Sequence, residues 1–129
     1  MNQQAQDTYL RMQINTAAPW ELTALLFNGC IKFMKQALEA IRSKNFEMKN
    51  HNIKRAIAII NELDFTLDKN YEISHNLSSL YTYIREKLFE ANIKLDDQAL
   101  SEAIELMTDL KDTWIKAMKE LHATARAQS

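Results

Sequence analysis

The chain has 129 residues, 47% of them hydrophobic and 26% charged, a balance that fits one folded domain of the usual ~100–200 residues and is too apolar for a disordered chain. Sixteen lysines and arginines against seventeen aspartates and glutamates leave a net charge of -1, which creates no long-range field for nucleic acid or an anionic membrane. One cysteine, Cys30, cannot form an internal disulfide, the polar start is unlike a signal peptide, and no apolar run reaches the ~20 residues that span a bilayer, so the expected setting is the cytoplasm without membrane insertion.

Residues 1–18 precede the first helical pattern. Tyr9, Leu10, Met12 and Ile14 are apolar, yet the stretch is too short to hold a core of its own, so it is expected to form a loosely packed flap on the bundle or on a partner. Pro19 opens the first helix, about 19–44, because its fixed φ and missing N–H suit the first helical position. Trp20, Ala24, Phe27, Ile31, Met34, Leu38 and Ile41 recur at steps of three and four and form its seam. Gly29 lies inside this helix, and close helix packing is the ordinary reading of such a glycine. The second helix, about 46–70, places Phe46, Ile53, Ile57, Ile60 and Leu67 on one face with Ala56 and Leu63 beside them. The third, about 73–95, carries Ile73, Leu77, Leu80, Ile84, Leu88, Ala91 and Leu95. Asp96 and Asp97 mark the start of the fourth, about 97–122, because a carboxylate there accepts the free N–H groups of the first turn. Leu100, Met107, Trp114 and Leu121 then recur every seventh residue, with Ala103, Leu110 and Ala117 between them. Residues 123–129 are expected to fray. Short polar connectors force sequential helices to run antiparallel, which predicts an all-α, up-down four-helix bundle.

Patterns that suggest chemistry are incomplete. Glu72 and His75 reproduce the Glu-x-x-His spacing of di-iron bundles, but such sites need a second copy and two further glutamates, and neither is present. His51 and Lys54 resemble the His-x-x-Lys of histidine phosphotransfer bundles, although Arg55 follows where a small residue is expected. No glycine-rich loop or nucleophile–histidine spacing occurs, so no catalytic, cofactor or metal residue is assigned. The remaining signal is apolar. Leu22, Leu25 and Phe33 fall on a second face of the first helix, and Phe65 and Phe89 fall off their seams. Together with the flap they suggest a partner-binding surface, with self-association through Leu22, Leu25 and Phe33 as an alternative.

The ordered blocks Ile14-Asn15-Thr16-Ala17-Ala18-Pro19, Leu25-Leu26-Phe27-Asn28-Gly29-Cys30, Ile59-Ile60-Asn61-Glu62-Leu63, Asn76-Leu77-Ser78-Ser79-Leu80-Tyr81 and Leu110-Lys111-Asp112-Thr113-Trp114 resemble the flagellin-specific export chaperones of bacteria, the FliS family. The resemblance runs from about Tyr9 to Met118. It departs from the family pattern at Ala18, where serine or threonine usually precedes the proline, and at Asn28, usually acidic. It implies a four-helix bundle that binds the disordered C-terminal region of flagellin, blocks premature polymerisation and delivers it to the type III export apparatus. The export gate and other flagellar proteins are further candidate partners, and no cofactor or turnover is implied. The N-terminal segment, with Tyr9, would cover a groove that the client occupies. The candidate partner-binding set joins Tyr9, Leu10 and Ile14 of the flap to Leu22, Leu26 and Phe33 of the first helix. It continues through Leu63 and Leu67 of the second to Leu77, Leu80, Tyr81, Tyr83 and Ile84 of the third.

Overall fold

A computed structural model of the protein describes residues 19–68, 70 and 72–128. Four helices account for almost all of them: α1 Pro19–Arg42, α2 Phe46–Phe65, α3 Glu72–Lys94 and α4 Asp97–Gln128. As residue number rises along α1 it falls along α4, with Trp20 beside His122, Phe27 beside Trp114 and Arg42 paired to Asp97. The same reversal relates α1 to α2 through the Cys30–Ala56 contact and the stacking of Arg55 on Phe33. It relates α2 to α3 through Lys49–Asn92 and Asp64–Arg85. Each helix packs on the next and α4 returns to α1, which closes the expected up-down-up-down ring.

Local chemistry sets the helix ends. At the end of α1 the Asn45 N–H donates to the Ala40 carbonyl at 2.8 Å and the Lys44 N–H to Ile41 at 3.1 Å, the paired bonds of a Schellman cap. The cap puts Lys44 at φ 59°, in the left-handed region that glycine occupies without strain. Lys44→Gly is therefore expected to raise the unfolding free energy by up to about 1 kcal/mol, seen as a higher urea midpoint at unchanged slope. Asn45 then caps α2 by accepting from the Met48 N–H, and Asp96 caps α4 by accepting from Gln98 and Ala99. α2 stops at Phe65, short of the expected residue 70, because the Thr66 hydroxyl donates back to the Leu63 carbonyl and Asp68 accepts from the Asn70 N–H. α4 runs on to Gln128, past the expected end at 122, since Ala123, Ala125 and Ala127 favour helix and no breaker intervenes.

The core is concentrated toward one end of the bundle. Phe27, Met34, Ile53, Ile60, Leu63, Ile84, Leu88, Leu100 and Met107 are fully buried. Beyond Phe27 and Met107, the seam residues Trp20, Ala24, Leu110 and Trp114 are only half-buried, and Leu121 is exposed. Further seam expectations are corrected at the helix ends. Phe46 and Ile73 are largely exposed, because each lies in the first turn of its helix where few neighbours remain, and Leu95 lies beyond α3 with φ 55°. The inward position at the start of α2 belongs to Lys49, whose ammonium donates to the Asn92 carbonyl at 3.0 Å, one of the carbonyls that α3 leaves unpaired at its C-terminal end.

Two weak acids lie in this core. Burial pushes the Cys30 thiol from 9.0 to about 12. Burial, with Asp64 and Cys30 as lesser causes, pushes the Tyr81 hydroxyl from 10.0 to about 12. The unfolded chain gives up these protons first as pH rises, so their contribution is whole below about 9 and lost as pH approaches 12. The thermal midpoint is expected to fall steadily with pH above about 9, as read by circular dichroism.

Candidate partner-binding groove

A groove of ≈ 240 Å³ lies between α1 and α2, lined by Leu25, Leu26, Gly29 and Phe33 on one side and Arg55, Ala58, Ile59 and Glu62 on the other. Helical spacing builds it, since each set recurs at three or four residues and so lines one face. Its space falls below the ~300 Å³ at which small-molecule pockets begin, and is suited to one large side chain. Phe33, expected on an outer face, is 5% exposed because it packs into the core cluster, with the Arg55 guanidinium 5.0 Å above its ring. Arg55 and Glu62 contribute one charge of each sign to the lining. Gly29 departs from its expected role. A Cβ built there meets Ile59 Cδ1 at 3.5 Å, an ordinary contact, so the packing of α1 on α2 does not require a glycine that costs about 1 kcal/mol in a helix interior.

The residues expected to bind a partner are scattered by the fold. Tyr9, Leu10 and Ile14 lie outside the described residues. Leu26 and Phe33 line the groove, and Leu22 is half-buried within one turn of Leu26 on α1. Leu67 and Leu77 are half-buried against the core, and Leu80 is half-buried on α3. Leu63, Tyr81 and Ile84 are at most 2% exposed and present no surface in this form of the chain. Tyr83 is exposed, with the Lys87 ammonium 5.6 Å from its ring. Gly29, Arg55, Ala58, Ile59 and Glu62 were not in the expected set. Gly29 carried a signal, a helix breaker within an apolar run, and Arg55 stood out only beside His51 and Lys54.

His51, His75 and His122 are all exposed, and His122 stacks on Trp20 at 5.3 Å. Among the described residues no group of three or more His, Cys, Asp or Glu side chains could hold a metal ion. No described helix is long and apolar enough to cross a membrane.

The family model described as flagellar protein FliS matches residues 1–121, which include the whole groove and most of α4. The chain belongs to the FliS family. It is 42% identical over 111 residues to the flagellar secretion chaperone FliS of Bacillus subtilis, covering 86% of this chain and 84% of that protein. The FliS of Campylobacter jejuni is 32% identical over 123 residues, 94% of this chain and 93% of the relative. The FliS of Salmonella typhimurium is 33% identical over 104 residues, 78% and 77% of the two chains. The FliS match covers both helices of the groove, the Asn45 and Asp96 caps and the fully buried core.

Proposed function

We propose that the chain is a non-enzymatic export chaperone of the cytoplasm that binds the disordered C-terminal region of flagellin, keeps it from polymerising and brings it to the flagellar export apparatus. Family membership supports a secretion-chaperone role, since the relatives carry that name. The observation that carries the reading is the apolar groove between α1 and α2, lined by the half-buried Leu25 and Leu26, with Trp20 and Leu22 half-buried in the turns of α1 that precede it. Segment 1–18 is the proposed flap, with Tyr9, Leu10 and Ile14 as the residues that would cover the client's groove. Ordering a disordered client costs free energy, so a large wrapped surface yields moderate affinity.

Isothermal titration with a peptide from the C-terminal region of the organism's own flagellin tests this. The expected result is saturable binding near one to one with a negative heat-capacity change, lost when the peptide's apolar positions become serine. No heat and no shift in melting temperature at high peptide concentration would refute it.

A further inference from the structure

Gly29 lies mid-way along α1, yet neither its backbone nor the neighbouring helix demands a glycine. No glycine of the described chain has a positive φ, and a Cβ at this position would reach Ile59 Cδ1 at an ordinary 3.5 Å. Alanine would fit, would favour the helix and would add a contact. Among the described residues, what the missing side chain leaves open is the groove that Gly29 lines, across from the small Ala58.

We propose that Gly29 is a specificity-determining position: its bare backbone is the floor of a socket, walled by Leu25, Leu26, Phe33 and Ile59, that receives one large apolar side chain of the client. This rests on the chaperone reading above. The ≈ 240 Å³ available is room enough for a leucine- or phenylalanine-sized side chain and too little for a packed helix. Arg55 and Glu62, the two charged residues of the lining, sum to no net charge, which matches an uncharged apolar segment and disfavours a strongly acidic or basic one. A methyl group on the floor would shorten the socket where that side chain seats. The protein thus keeps a weaker helix in exchange for a deeper site, the usual direction of a stability–function trade-off.

The test is titration of Gly29→Ala, Gly29→Leu and the unmodified full-length chain with the flagellin C-terminal peptide, alongside thermal melts. Asn28→Ala, exposed and one residue away, is the control for helix propensity. The inference expects Gly29→Ala to melt about 4 °C higher and bind about tenfold more weakly, with Gly29→Leu weaker still and Asn28→Ala unchanged in affinity. Equal affinity for Gly29→Ala would overturn the socket and leave the chaperone reading standing. Tighter binding would overturn it in another way, by showing that the chain's own segment 1–18 fills the socket and competes with the client. A mass that rises with concentration in the unmodified chain, and does not in Gly29→Ala, would assign the socket to a second copy and overturn the inference. Failure of the unmodified chain to bind the peptide would refute the chaperone reading itself, and the client socket with it.

Discussion

Ile84→Ala is expected to lower the unfolding free energy by about 3 kcal/mol, with a melting temperature about 12 °C lower, and to leave client affinity within about twofold at temperatures where the variant is folded. The side chain is 0% exposed and lies in the core with Leu88 and Tyr81 of its own helix, so truncation leaves a cavity that the rigid packing of four helices closes only in part. Against the ~5–15 kcal/mol that holds a domain of this size together, that is a large fraction. Urea titration followed by circular dichroism measures the stability change, and calorimetry on the same material measures binding. The two readouts also decide the role of this residue, which the sequence pattern placed among the client contacts. A marked loss of affinity with little loss of stability would mean that the bundle opens at α3 to admit the client, because a residue with no exposed surface can meet a partner in no other way.

Leu25→Asp is expected to do the reverse, weakening the flagellin peptide about 30-fold while costing under about 1 kcal/mol of stability. Leu25 is half-buried on the groove wall and stands outside the packed core cluster, so a polar replacement can stay hydrated in the free protein. In the complex it cannot, because client side chains would cover the carboxylate and Glu62 shares the same groove. Most of the loss should appear as faster dissociation, since the groove lining carries no net charge to steer association. Titration together with surface-plasmon dissociation rates gives both numbers. Unchanged affinity would place the client on another face of the bundle, such as the exposed Phe65, Phe89 and Ile93 of α2 and α3.

Much of the fold was legible in the residues. The Asp96–Asp97 pair marked the start of α4 because a short carboxylate satisfies free backbone N–H groups locally, a bond that needs no tertiary partner, whereas the equivalent cap of α2 by Asn45 emerged only in the structure. The heptad of Leu100, Ala103 and Met107 likewise identified the buried stripe of α4. The candidate site was far less legible. Leu22, Leu25, Leu26, Leu63, Leu77 and Ile84 share one chemistry and one helical spacing, and periodicity assigns a side chain to a face without saying what stands opposite. The fold set Ile84 and Leu63 at the centre, left Leu22 and Leu77 half-covered, and packed Phe33 into the core cluster with Arg55 of a different helix above its ring.

The division has one physical cause. The sequence by itself determined what depends on interactions within a few residues: four amphipathic helices, the Pro19 and Asp96–Asp97 helix starts, the short turns that force antiparallel neighbours, and the absence of any charge excess or long apolar span. Only the tertiary structure decided depth. Trp20, Leu110 and Trp114 obey the same period as Phe27 and Met107, yet the first three are half-covered and the last two buried. A side chain's exposure is set by how many helices surround it at its level of the bundle, a relation between residues distant along the chain. For the same reason Gly29 read as a packing glycine until Ile59 and Ala58 stood across from it and left room for something else.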